Sequence, residues 1–332
     1  MGGRSIAERG APVTRESVNI DGQLATAKAH RRFIAPRAGL SSDEPVAWVF
    51  AGPWLLGLVL FIGLPVLLMG AISLTDWSLV SSPHFVGLDN YTSMVSDRRF
   101  LQSISVTVRY AILSLPILLI LGLGLSLLLN RPVRGIGLFR TIMFVPSVLA
   151  GVAVAVLWLQ ILNPDFGILN QILRSLGVEN PPRWLSSPDW AVPAVVLTGV
   201  WTVGGAAIIY LAGLQNIPAQ LYEAAELDGA GPRQKFWHIT LPMLSPTLFF
   251  VFITGLIGSF QVFDVAFVLG GSRGSSGSLL FYMLNLWNEG FRNGRLGFAS
   301  ALGVVFVLVA TMVVVLAIRA SERFVYYETK AE

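Results

Sequence analysis

Asp264 is the only carboxylate set inside a long apolar run of this sequence, and it has company that could bind a ligand. Ser259 and Gln261 stand just before it, interleaved with Phe260 and Phe263; upstream, Trp201 and Thr202 are followed by the Gly204-Gly205 pair. A polar side chain in an apolar, membrane-length run is costly, so it faces other helices or a wet cavity. Aromatic faces stack on the apolar faces of sugar rings, while amides, hydroxyls and carboxylates bind hydroxyl groups. Together these residues are candidates for a path that a polyhydroxylated molecule could take. Helix packing explains each of them singly: glycines let helices approach closely, and Asp264 could pair with Arg109 or lie near an outer surface.

Other chemistries are missing. There is no cysteine, and the three histidines (His30, His84, His238) are far apart, so neither a disulfide framework nor a zinc site is expected. No Gly-x-x-x-x-Gly-Lys-Ser/Thr phosphate loop occurs; Lys28, Lys235 and Lys330 are the only lysines, and none follows such a pattern. No catalytic triad order or carboxylate pair stands out. The chain is read as a non-enzyme with no cofactor and no metal of its own.

The elements that must position these residues are membrane spans. More than half of the chain is apolar (54%) and only 13% is charged, which argues for an all-α polytopic membrane protein. Apolar runs place six spans at about 47–74, 104–129, 142–162, 191–214, 246–269 and 296–318. The first apolar run starts only near Val46, so it reads as a retained span rather than a cleaved signal. Residues 1–45 are polar and basic and read as a largely disordered cytoplasmic tail, with a second short tail at 321–332. Residues 279–295, with Phe281, Tyr282, Trp287 and Phe291 among polar neighbours, suit an interfacial helix. Six spans put both termini on one side. Fifteen of the 23 Lys and Arg fall on the side of the termini, so that side is assigned to the cytoplasm. This distribution makes the basic charge a topology signal and not a nucleic-acid footprint.

Between the fourth and fifth spans lies a polar loop, 218–242. Pro218 suits a first helical position. Leu221, Tyr222, Ala224, Ala225 and Leu227 can gather into one apolar strip, with Glu223 and Glu226 at its margins. Gly229 can leave the helical conformation, Gly231-Pro232 restarts a helix, and Leu241-Pro242 ends it. A small helix held outside a membrane suits docking into a groove on a soluble partner. Composition alone leaves this open against a plain solvated loop.

The spacing is more particular. Glu223-Ala224-Ala225, Gly229 after three residues, and Ile239, Leu241 and Pro242 after nine more match all seven positions of a known pattern. The loop resembles the EAA loop of permease subunits in binding-protein-dependent ABC importers. Phe85-Val86-Gly87-Leu88-Asp89-Asn90-Tyr91 is similar to a segment that follows the first span in the sugar-type members of that family. Over about 47–320 the chain looks like a maltose-type permease.

That resemblance implies a type I importer permease fold in a bacterial cytoplasmic (inner) membrane. It implies a second permease subunit as heterodimer partner, two ATPase subunits carrying ATP and Mg²⁺, an extracytoplasmic binding protein, and a carbohydrate substrate. Glu223, Ala224, Ala225, Gly229, Ile239, Leu241 and Pro242 would couple to the ATPase. The sugar-contacting positions of the maltose type would fall on Gly151, Trp201, Thr202, Gly205, Gly255, Gly258, Ser259 and Val262, with Gln261 and Asp264 beside them. The sequence departs there, having mostly Gly, Ser or Val where that type has polar or aromatic side chains. A polyol or glycerol-phosphate permease is the near alternative. An ion-coupled secondary transporter centred on Asp264, or a non-transporting scaffold, are the distant ones.

Overall fold

A computed structural model describes residues 44–78, 80–149, 151–270 and 277–321. The expected tails lie outside the described residues except for 44–45, which begin a helix, and Ser321, which ends one; so does most of the Gly270–Ser278 turn. The described chain is helical, with no strand beyond two isolated bridges, Thr75↔Phe85 and Ser78↔Arg295.

Three helices are long and apolar enough to cross a membrane: Trp48–Ile72, Arg98–Leu129 and Leu296–Ser321. Three bent pairs bring the number to six if each pair is one span. Residues 44–63 form one unit, α1 (Glu44–Leu58) with a π-helical turn at Val59–Gly63, and its large apolar side chains are exposed.

The second unit begins at Leu64. It opens with α2 (Leu64–Ile72), α3 (Asp89–Ser96) and the 32-residue α4 (Arg98–Leu129). It continues with α5 (Ile136–Val148), α6 (Gly151–Ile161), α7 (Ile168–Ser175), α8 (Ala191–Trp201) and α9 (Gly204–Gln215). The loop helices are α10 (Ala219–Leu227) and α11 (Pro232–Lys235), which runs on through a π-helical turn at Phe236–Thr240 into α12 (Leu241–Met243). Then come α13 (Ser245–Phe260), α14 (Asp264–Gly270), α15 (Tyr282–Trp287) with a π-helical turn at Asn288–Arg292, and α16 (Leu296–Ser321).

α4 is the spine. Asp97 starts it six residues earlier than the apolar run suggests, its carboxylate accepting from the Arg99 and Phe100 amides at 2.7 and 2.9 Å. Small residues let neighbours close on it: Gly122 lies under Tyr210 and Ala206, and Gly255 of α13 lies against Leu115 and Leu118. Gly204 sits so close to the Met143 carbonyl that no Cβ fits there.

The Phe85–Tyr91 segment folds the chain back onto the end of α2. Gly87 takes φ +62°, a left-handed conformation that suits glycine. The Asn90 amide donates to the Ser73 and Thr75 carbonyls at 2.8 Å each, and the Tyr91 hydroxyl bonds Ser73 Oγ at 2.7 Å. The two Asn90 bonds occupy carbonyls that the end of α2 leaves without helical partners.

Three expected runs are interrupted, 142–162 between α5 and α6 and two more at polar residues. The 191–214 run breaks at Thr202-Val203, where the paired helices α8 and α9 bend by 49°. The 246–269 run breaks at Gln261–Phe263, between α13 and α14. Non-helical backbone at membrane depth is tolerated where it lines a wet cavity, and polar residues sit at both breaks.

The 279–295 stretch is not a free interfacial helix. Phe281, Tyr282, Leu284, Asn285 and Glu289 are buried within the protein. The Tyr282 amide donates to Thr107 Oγ1 at 2.9 Å and its hydroxyl to the Leu302 carbonyl at 2.8 Å, so α4 and α16 take the aromatic face that a membrane surface would have taken.

Candidate functional site

The polar loop is a preformed helix–turn–helix. α10 ends in a left-handed turn: Gly229 has φ +77°, its amide donates to the Glu226 carbonyl at 3.0 Å, and the Ala230 amide reaches the Ala225 carbonyl at 2.8 Å. This bond pair is the Schellman arrangement, which satisfies carbonyls that the helix end orphans. Pro232 opens α11, and Gln234 Oε1 accepts from the Gly231 amide at 2.8 Å. Lys235 ties the two helices by a 2.7 Å bond to Glu226. That hydrogen bond, with the lysine charge behind it, holds the Glu226 carboxyl below its ordinary value.

The apolar residues of α10 do not share one face, contrary to the strip read from sequence. Tyr222 points inward, its hydroxyl 2.9 Å from Thr240 Oγ1, and packs with Ile239 against a cluster containing Tyr210, Leu214, Leu244 and Val251. Leu221, Glu223, Ala224 and Leu227 are exposed, Leu227 at 90%. A helix advances 100° per residue, so a nine-residue helix seated on Tyr222 must turn Glu223 and Ala224 away. Glu223 makes no hydrogen bond or ion pair among the described residues; it is displayed.

The inward cluster joins the loop to α4, α9 and α13, since Leu119, Leu123 and Leu127 pack on it too. Beyond it, α4 and the two breaks that adjoin α9 and α13 border a cavity of about 420 Å³. Its wall takes Tyr110 from α4, Gly151 and Val154 from α6, and Val195, Thr198, Gly199 and Thr202 from α8 and its break. The second break adds Gln261, Val262, Phe263 and Asp264. An adjoining cavity of about 200 Å³ shares Tyr110, Gly199 and Thr202 and adds Ser114, Gly255, Gly258 and Ser259. Asp264 is exposed, and its carboxylate lies where a Cβ on Gly151 would meet it at 3.2 Å. Among the described residues neither Asp264 nor Arg109 has an ion-pair partner, so the Asp264–Arg109 pairing considered from sequence is not formed. Among the described residues no Lys, Arg or His lines either cavity.

Residues 85–326 match the family model described as "Binding-protein-dependent transport system inner membrane component". The chain belongs to this family. The trehalose/maltose transport system permease protein MalF of Thermococcus litoralis is 38% identical over 278 residues, 82% of this chain and 92% of the relative. The sn-glycerol-3-phosphate transport system permease protein UgpA of Agrobacterium fabrum is 34% identical over 249 residues, 74% and 84% of the two chains. A chain in the crystal structure of a bacterial ABC transporter that imports the acidic polysaccharide alginate superposes with a TM-score of 0.74, at 23% identity, covering 91% of this chain and all of that one. The protein is therefore a permease subunit of an ABC importer, with the type I importer permease fold.

Within this ABC permease the residues singled out from sequence divide into three groups. Thr202, Ser259, Gln261, Val262, Asp264, Gly151, Gly255 and Gly258 line the two cavities. Trp201 and Gly205 do not. Trp201 stands edge-on to Trp158, with ring centroids 6.4 Å apart, and Gly205 serves packing, with Ser147 Cβ 3.3 Å from where its own Cβ would be. The seven EAA positions sit together on the loop, but in different roles: Glu223 and Ala224 face out, Ile239 faces in, and Ala225 and Gly229 form the turn. Tyr110, Thr198 and Gly199 of the cavity wall were not singled out from sequence. Tyr110 carries a weak signal, a phenol one residue after Arg109 in an apolar run; Gly199 carries none.

Proposed function

We propose that this permease forms half of the translocation path for a carbohydrate that an extracytoplasmic binding protein delivers. In this reading six spans cross the bacterial cytoplasmic membrane, both termini and the 218–242 loop lie in the cytoplasm, and a second permease completes the path. The exposed apolar faces of α5 and α6 (Leu138, Phe144, Val148, Val152) suit that partner or lipid. ATP and Mg²⁺ belong to two separate ATPase subunits, consistent with the missing phosphate loop.

The observation that carries the reading is the mechanical continuity of α10, the Tyr222 cluster and the helices that wall the cavity. The displayed face of Glu223, Ala224 and Leu227 receives the ATPase. When the ATPase pair closes on ATP, the loop moves as a body because Tyr222–Thr240 and Glu226–Lys235 hold its halves together. α9 and α13 carry that motion to the breaks at Thr202 and Gln261–Phe263. Nucleotide and substrate act by binding two states of the path with different affinity.

A neutral sugar is favoured over a glycerol phosphate. Phosphate recognition relies on cationic or amide donors, whereas among the described residues the only ionisable side chains on the cavity walls are Asp264 and the Tyr110 phenol. Membership of the family leaves no place for the ion-coupled and scaffold readings.

The test is co-purification. The tagged permease is expressed with its neighbouring genes, extracted in mild detergent and assayed for a bound ATPase and a second permease. The expected result is that both accompany the wild type and that Glu223→Ala loses the ATPase while keeping the permease partner. Retention of the ATPase by Glu223→Ala at wild-type level would overturn the assignment of Glu223.

A further inference from the structure

A second polar cavity, of about 640 Å³, lies at the opposite end of α4 from the loop cluster. From Gln102 to Leu129 the helix rises about 40 Å, so in the topology proposed above the cavity opens on the extracytoplasmic face. It shares no residue with the translocation cavities. Its walls include Arg99, Gln102, Asn285, Asn288, Arg292 and Asn293.

The charges here do not cancel. Glu289 is buried, at 2% side-chain exposure, and both its oxygens are engaged: Arg295 at 3.1 Å and Arg99 at 3.5 Å. Arg295 also lies over the Phe298 ring at 4.2 Å, so it is held from three sides with the Glu289 carbonyl, which accepts its amide at 2.8 Å. Glu289 thus answers two arginines, and among the described residues Arg292 has no carboxylate partner. Arg292 has only a 3.4 Å bond to Asn288 Oδ1 and is exposed. Asn285 on the same wall is buried at 1%, and its Oδ1 has no hydrogen-bond partner among the described residues. A buried acceptor left unpaired costs free energy, which a ligand can recover by donating to it.

We propose that this cavity is the receptor for an acidic segment of the extracytoplasmic binding protein. The arginines accept a carboxylate, and Asn285 Oδ1 accepts an N–H from the same segment. A peptide carries both groups within one residue. A bare phosphate or a lipid phosphate would satisfy the arginines and leave Asn285 facing another acceptor. The proposal rests on the import reading for its partner and its side of the membrane. It adds the surface and its chemistry: docking by this subunit is charge-assisted, centred on Arg292.

The experiment uses the assembled transporter in lipid nanodiscs and measures ATP hydrolysis against binding-protein concentration at saturating sugar. Arg292→Glu reverses the charge of an exposed side chain, and the yield of assembled complex reports that it folds. The expected result is a rise of about tenfold or more in the binding-protein concentration for half-maximal stimulation, the scale for a mispaired interfacial charge. The wild-type value rises with salt and the variant's rises less steeply. The same reversal at Arg183, an exposed arginine outside the cavity, shifts the value less than twofold. An unchanged half-maximal concentration in Arg292→Glu, or equal effects at Arg292 and Arg183, overturns the proposal. So does a shift in sugar dependence alone, which would give the cavity to the substrate, or a shift that vanishes when anionic lipid is omitted. A wild-type complex that no binding protein stimulates would instead sink the import reading itself.

Discussion

Replacing Gly229 isolates the turn that ends the displayed helix. No atom lies within 4 Å of the position its Cβ would take, so an added methyl meets open space and the whole cost is conformational. At φ +77° an L-residue is strained by about 1–2 kcal/mol. A nine-residue helix has almost no stability of its own in water, so that cost appears as fraying and multiplies the open population by about 5–30. Amide hydrogen exchange over 219–230 in the purified complex reads it directly. Gly229→Ala should exchange about 5–30 times faster there, with protection in α4 unchanged. Gly229→Asn, which tolerates the left-handed region better, should fall between it and the wild type. Coupling should follow the same order, measured as sugar uptake per ATP hydrolysed. Wild-type exchange in Gly229→Ala would refute the argument, because something other than the left-handed turn would then be closing the helix. Asn exchanging faster than Ala would refute it too, by showing that side-chain bulk matters at a position described as open.

Gly258, whose Cβ would also meet nothing within 4 Å, lines the smaller cavity, so Gly258→Trp should abolish uptake while assembly with partner subunits persists; uptake at the wild-type rate would remove that cavity from the path. Gly204→Ala should behave oppositely, lowering the yield of folded protein, because its methyl would have to displace the Met143 carbonyl. Asn90→Ala deletes two 2.8 Å bonds onto the end of α2 and should cost about 1–3 kcal/mol, read as a lower thermal midpoint of the purified permease. The Glu226 carboxyl is held below its ordinary value of 4.5, so its bond to Lys235 contributes above that pH and is lost as pH falls through the lowered value. Near neutral pH it is constant, and high salt weakens it; the ¹³C shift of the Glu226 carboxyl should titrate below 4.5, and a midpoint at or above 4.5 would contradict the contact.

The loop was legible in the sequence because its determinants are local. Gly229 is needed wherever a helix ends in a left-handed residue, Pro232 wherever one restarts, and neither depends on what packs nearby. Helix content was equally legible, since a long apolar run in lipid must satisfy its own backbone. The breaks were not. Thr202 and Gln261 look like any polar residue in an apolar run, and only the carbonyl of Met143 pressing on Gly204 and the cavity beside Asp264 show why the helices part there. The 279–295 stretch misled for a related reason. Its mixture of aromatic and polar residues is what a membrane surface selects, and equally what α4 and α16 select when Glu289 is neutralised by Arg99 and Arg295.

By itself, then, the sequence determined a helical, membrane-length chain with a Glu223-bearing helix–turn–helix between its fourth and fifth apolar runs, because periodicity, turn chemistry and fixed spacing act over a few residues. The tertiary structure alone decided which side of that helix is displayed, which glycines pack and which line a cavity, and that two arginines, Arg99 and Arg295, meet one buried carboxylate at the far end of α4. Those outcomes depend on residues such as Thr107 and Tyr282, 175 positions apart, whose meeting no local pattern encodes.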